Sequence, residues 1–123
     1  MARVQSLAPV LCVQDIAACM SYLSDKLGFT VGGAVGQPVA WASLTRDSVE
    51  LMLVCGPYPS PAQDWAAYLY VDDADALYAE FQSRGADLVR QPVDKPYNSR
   101  EFEVRLPDGR TLAFGGPIPA GIH

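Results

Sequence analysis

The hydrophobic and polar positions of this chain set out one pattern and then repeat it. Leu7 to Val13 reads as an apolar strand. Asp15 follows as a helix N-cap, and Ile16, Met20, Leu23 and Leu27 step by 4, 3 and 4 along one helical face until Gly28 ends the run. At an offset of 58 residues (73 − 15) the same sequence of events recurs. The strand Trp65 to Val71 leads to Asp73, and Ala74, Leu77, Tyr78 and Phe81 share a helical face that stops at Gly85. Val13 matches Val71, Cys19 matches Leu77, Met20 matches Tyr78 and Leu23 matches Phe81. An internal repeat of this kind organises the whole chain.

The rest of each half reads as strands and turns. Phe29 to Val31 runs into a glycine-rich bend at Gly32, Gly33 and Gly36. Val39 to Leu44 and Ser48 to Val54 then form a hairpin turning at Arg46-Asp47-Ser48. In the second half, Asp87 to Arg90 is a short strand and Pro92 to Asn98 a loop. Arg100 to Arg105 and Arg110 to Phe114 close a hairpin around Pro107-Asp108-Gly109. The prolines of Gly56-Pro57-Tyr58-Pro59-Ser60-Pro61 exclude helix and ladder, which places the boundary between halves there. The expectation is an α+β chain of two paired βαβββ modules. Module one covers 5–56, a linker 57–63 and module two 64–116, within a single domain over 1–123. Their joined sheets would form a cup.

Several strands are apolar on both faces. Val49, Leu51 and Leu53 share one parity, with Glu50, Met52 and Val54 on the other. Leu69 and Val71 share one parity, with Tyr68 and Tyr70 on the other. Strands covered on both sides have one face against a helix, and the second face here would line the cup, where a ligand belongs.

Composition narrows the partners. Half of the 123 residues are hydrophobic and 19% are charged, as in an ordinary globular protein. A net charge of −5 with scattered lysines and arginines argues against nucleic acid. No stretch reaches the ~20 apolar residues of a membrane span. With no signal-peptide pattern at the N-terminus, a cytoplasmic location is expected. Cys12, Cys19 and Cys55 lack metal-type spacing and read as buried reduced thiols. The single histidine, His123, is terminal, so no Ser/His/Asp or Cys/His set can be built, and no phosphate-binding lysine loop is present.

Candidate site residues follow from the same parities. Trp41, Tyr68, Tyr70 and Tyr97 offer flat faces for a planar or cationic ligand, with packing as their alternative role. Trp65, beside the linker, reads as packing over a strand end. Glu50, among the apolar Met52 and Val54, is either a desolvated carboxylate able to act as a base or a strand-end acid reaching solvent. Arg100 either clamps an anionic or planar group or pairs with a neighbouring carboxylate. Glu101 and Glu103 share one face, opposite in parity to Phe102 and Val104, and would receive positive charge or be solvated.

Pro9-Val10-Leu11-Cys12-Val13-Gln14-Asp15-Ile16 followed by Leu27-Gly28-Phe29 resembles the opening module of the vicinal oxygen chelate superfamily, which includes glyoxalases, extradiol dioxygenases and bleomycin-resistance proteins. Tyr70-Val71-Asp72-Asp73-Ala74-Asp75-Ala76-Leu77-Tyr78-Ala79-Glu80 and Arg100-Glu101-Phe102-Glu103-Val104-Arg105-Leu106-Pro107-Asp108-Gly109 are similar to its bleomycin-resistance branch. The resemblance covers roughly residues 6 to 115. It implies homodimers of paired βαβββ modules. In the metal enzymes of the superfamily, His or Glu ligands occupy four cup-facing strand positions, which carried over here are Ala8, Glu50, Ala66 and Ala113. Three alanines leave one carboxylate, too few donors for Zn²⁺, Fe²⁺ or Mn²⁺. What the resemblance then implies is a protein without metal or other cofactor that sequesters a small-molecule ligand. The alternatives are a lyase, isomerase or transferase using Glu50 as base, and a ligand-sensing or partner-binding module.

Overall fold

A computed structural model describes residues 2–56 and 65–120. The chain divides into two compact units, Met1–Tyr58 and Pro59–His123. In the first, β1 (Val10–Val13) is followed by α1 (Ile16–Leu27), β2 (Thr30–Val35), β3 (Trp41–Arg46) and β4 (Val49–Cys55). In the second, β5 (Trp65–Tyr70) is followed by α2 (Ala74–Ser83), β6 (Leu88–Lys95), β7 (Ser99–Arg105) and β8 (Thr111–Gly116). The sheets have equivalent orders, β1-β4-β3-β2 and β5-β8-β7-β6. In each, the first strand pairs in parallel with the last, and the other pairs are antiparallel. The fold is therefore α+β, built of two βαβββ units as the repeat predicts.

The helices form where their caps allow. Asp15 accepts a hydrogen bond from the Ala18 N–H at 3.0 Å, and Asp73 accepts one from the Ala76 N–H at 3.0 Å. Each satisfies one of the N–H groups left open by a first helical turn. Gly28, at φ 74°, supplies the left-handed residue that ends α1. In the first unit Leu11, Leu23, Leu27, Leu44, Leu51 and Leu53 are fully buried. In the second the core is aromatic: Phe102 stacks on Phe114 at 5.3 Å and meets the edges of Tyr78 and Phe81.

Three expected elements are revised. The first strand begins at Val10 rather than Leu7. Pro9 has no N–H to donate to a ladder, although its carbonyl still accepts from Met52 N–H at 2.9 Å. The glycine-rich bend is instead strand β2, with a bulge between Val31 and Gly33; only Gly36, at φ 103°, turns the chain. A Cβ at Gly32 would lie 3.0 Å from Ser43 Oγ, so this glycine lets β2 approach β3 closely, whereas one at Gly33 would meet the Trp41 ring at an ordinary 3.5 Å.

The third revision joins two expected pieces into one strand. The short strand at Asp87–Arg90 and the loop at Pro92–Asn98 are largely the continuous edge strand β6. Its register shifts between Leu88 and Arg90 and again between Arg90 and Val93, and Pro92 falls in the second shift, where no ladder N–H is required.

The cysteines also differ from expectation. Cys19 is buried, Cys12 is half-buried and Cys55 is exposed, all three as free thiols. Cys55 closes β4, where its side chain reaches the Gln14 carbonyl at 3.7 Å. The linker, residues 57–63, lies outside the described residues, as do Asp64 at the start of module two and His123.

Candidate functional site

Alternation along β5 sends Leu69 into the core and leaves Tyr68 and Tyr70 on the sheet face away from the aromatic core. On β7 the same rule buries Phe102 and Val104 and sends Ser99, Glu101 and Glu103 to that second face. Between these strands runs β8, where Gly115 stands opposite both Tyr70 and Glu101. Gly115 has no side chain, so the Tyr68 ring lies across β8 and reaches β7. Its hydroxyl donates to Glu101 Oε2 at 2.6 Å and lies 2.8 Å from Ser99 Oγ. A Cβ on Gly115 would overlap the Tyr68 hydroxyl and sit 2.8 Å from Ser99 Oγ. Gly116 is equally constrained, since its Cβ would lie 2.6 Å from the Val71 carbonyl oxygen.

The turn between β6 and β7 adds another ring. Asn98 takes a left-handed conformation at φ 66°, and beside it Tyr97 folds back to donate to Glu101 Oε1 at 2.9 Å. Two phenols thus converge on one carboxylate, which is only 2% exposed. Around it opens a cavity of about 600 Å³, walled by Trp65, Tyr68, Tyr70, Tyr97, Asn98 and Ser99. Trp65 and Tyr68 stand 5.2 Å apart at 55°, and Tyr68 and Tyr70 stand 5.1 Å apart at 59°. Trp65 and Tyr70 in this row, and Tyr97 on the turn, keep 41%, 87% and 61% of their surface open to solvent. Aromatic faces at this exposure offer apolar area and quadrupole charge to a ligand.

The phenols report their surroundings. Burial pushes the Tyr68 hydroxyl up to about 12, and its hydrogen bond to Glu101 adds to the shift, while Ser99 partly opposes it. Tyr97 is raised for the same two leading reasons. For Tyr68 the folded pKa lies above the unfolded one, so its contribution to stability is complete below the ordinary tyrosine range near ~10. That contribution is lost as pH climbs through about 12. An absorbance titration at 295 nm is expected to show late-ionising phenols, with the component near 12 missing in Tyr68→Phe. Uniform ionisation of all six tyrosines near ~10 would contradict this account of the site.

Among the residues expected from sequence, Tyr68, Tyr70, Tyr97 and Glu101 come together at this cavity. Glu103 shares the face but lies outside the lining, opposite Ala113 and Arg90. Arg100 does not join them. It has the parity of Phe102 and Val104, and it pairs with Asp75 of α2 at 2.9 Å and Asp94 of β6 at 2.8 Å, tying helix to edge strand. The neighbouring carboxylates Glu101 and Glu103 are not its partners. Trp41, Glu50 and Met52 belong to the first unit, where they are half-buried on the equivalent face of its sheet. Trp65, read as strand-end packing, is part of the cavity wall. Ser99 and the Gly115–Gly116 pair were not anticipated; two glycines closing an apolar strand were their only sequence signal.

Of the four implied metal positions, Glu50 is half-buried on β4, Ala66 is half-buried on β5 and Ala113 is buried on β8. With Ala8 they offer one donor among four side chains, and this set does not fit a metal centre. Among the described residues no three His, Cys, Asp or Glu side chains are grouped to hold an ion. Nor is any helix among them long and apolar enough to cross a membrane.

Comparison with known proteins agrees with this architecture. The copper(II)-bleomycin complex of a bleomycin-binding protein from Streptomyces verticillus superposes with a TM-score of 0.78 at 26% identity, covering 93% of this chain and 97% of that one. TnmS3, an antibiotic binding protein from Streptomyces sp. CB03234, superposes with a TM-score of 0.76 at 24% identity, over 96% and 99% of the two chains. The mycobacterial protein CFP32 (Mycobacterium tuberculosis) is 32% identical over 63 residues, 51% of this chain and 24% of its own. The chain thus matches about a quarter of the length of that curated relative. Residues 3–114, both βαβββ units together, match one family model, and on that match the chain belongs to the Glyoxalase/Bleomycin resistance protein/Dioxygenase superfamily.

Proposed function

We propose that this chain is a small-molecule binding protein of the bleomycin-resistance type, which sequesters a planar, positively charged organic ligand without a protein-held metal. The observation that carries the reading is the cavity of the second unit, whose walls are Trp65, Tyr68, Tyr70 and Tyr97 and whose floor is the buried Glu101. A flat ring stacked against these walls loses water from the face it buries, and the carboxylate complements positive charge. The absence of a fitting donor set supports binding over metal-assisted turnover. Likeness to the Streptomyces verticillus protein, solved with copper(II)-bleomycin, supports the same class of ligand.

The test begins from Trp41→Phe, which leaves Trp65 as the single reporter of the two tryptophans. Titration with a panel of planar cationic natural products, copper(II)-bleomycin among them, is expected to give saturable quenching by at least one member. The ligand should be recovered with unchanged mass. Tyr70→Ala is expected to weaken that binding by about tenfold, since it removes a stacking face. Tyr70 is 87% exposed, so the melting temperature should barely move. No quenching by any panel member would overturn the reading, and a changed ligand mass would establish turnover in its place.

A further inference from the structure

Glu101 is held in an unusual way for a buried carboxylate. Both of its oxygens accept from neutral phenols, Tyr68 on Oε2 and Tyr97 on Oε1. Among the described residues no lysine or arginine pairs with it, while the nearby Arg100 is engaged by Asp75 and Asp94 on the other face of β7. A negative charge removed from water without a countercharge is costly, and neutral donors offset only part of that cost. Each carboxylate oxygen also has a second acceptor position that one phenol leaves unused.

The two phenols are not equivalent. Tyr68 is fixed: its ring lies over Gly115, and its hydroxyl is shared between Glu101 and Ser99. Tyr97 is 61% exposed, stands on the turn beside the left-handed Asn98, and has a single bond to the carboxylate at 2.9 Å. It covers Glu101 from the cavity side and is the partner that can leave.

We infer that the ligand carries a protonated primary or secondary amine on a flat ring, and that its N–H displaces the Tyr97 hydroxyl from Glu101. The inference rests on the binding role proposed above and names the chemical group that the site selects. The released Tyr97 ring then stands beside the bound ring, so the residue that guards the carboxylate becomes part of the wall. A quaternary ammonium has charge but no N–H and cannot replace a hydrogen-bond donor; a neutral alcohol has a donor but no charge.

Three probes separate these cases: naphthylmethylammonium, its neutral alcohol isostere and its trimethylammonium analogue, with binding measured by calorimetry. The ammonium probe is expected to bind the unmodified protein about tenfold more tightly than either of the others, and Glu101→Gln should erase that preference. Tyr97→Phe removes the competing donor and should strengthen ammonium binding by about threefold. Equal binding of all three probes, a preference that survives Glu101→Gln, or a trimethyl probe that binds as well as the ammonium would overturn the inference and leave the aromatic cavity standing. Failure of all three probes to bind would overturn it together with the binding role. Should Glu101→Gln fail to fold by circular dichroism, Tyr97→Phe decides: stronger ammonium binding supports the displacement, and unchanged or weaker binding refutes it.

Discussion

Truncation of Phe102 to alanine is expected to destabilise the second unit by about 3–5 kcal/mol, the range for deleting a fully buried aromatic side chain. Phe102 has no exposed surface, and three rings meet it: Phe114 at 5.3 Å in a stacked pair, Tyr78 at 5.5 Å and Phe81 at 6.0 Å edge-on. Rings of this size cannot collapse into the space left behind without leaving their own contacts, so a cavity would remain. The consequence extends to the site, because Phe102 and Glu101 are adjacent on β7 and face opposite sides of it. Urea denaturation followed by circular dichroism measures the effect. A loss below ~1 kcal/mol would mean that the core relaxes around the change and that the four-ring cluster is not what holds β7 in place.

Replacing Gly115 with alanine tests the site rather than the core. The new methyl group would overlap the Tyr68 hydroxyl, and β8 cannot retreat because it pairs with β5 on one side and β7 on the other. Tyr68 must therefore rotate away and surrender its bonds to Glu101 and Ser99. The expected cost is about 1–3 kcal/mol, the range for overpacking a close contact. Binding of a stacked ligand should fall by about tenfold or more, since both a wall and the carboxylate's fixed donor are displaced. The ionisation near 12 should also disappear from the absorbance titration, because the burial and the Glu101 bond that raise it are gone. Retention of that late ionisation would show that the Tyr68 ring does not depend on the missing side chain at 115.

The parts of this molecule that could be read from sequence are those whose signals are local and agree with one another. Asp15 and Asp73 each precede an apolar helical stripe, and Gly28 and Gly85 follow, so both helices and the repeat itself are legible. Strand parity placed Tyr68, Tyr70 and Glu101 on one face. Where local signals conflict with pairing, the reading fails. Glycines in β2 and Pro92 in β6 look like breakers, yet both strands persist because bulges absorb the mismatch at sheet edges. Arg100 shares the parity of Phe102 and Val104, which puts it on the helix side, but its partners Asp75 and Asp94 lie on other elements and leave no mark in the local sequence. Gly115 was silent because its role is to be crossed by a ring from β5, a relation between residues 47 positions apart (115 − 68). Long-range pairing of this kind has no local signature.

Whether the aromatic cavity of the second unit is where this protein meets its ligand is decided by amide chemical-shift mapping, using nuclear magnetic resonance during titration with naphthylmethylammonium. Saturable shifts are expected to concentrate at Tyr97, Asn98, Ser99, Glu101, Gly115 and Gly116, with the Trp65 indole moving in step. Shifts confined to β2, β3 and β4 of the first unit, or no saturable shifts at all, would contradict a ligand site at this cavity.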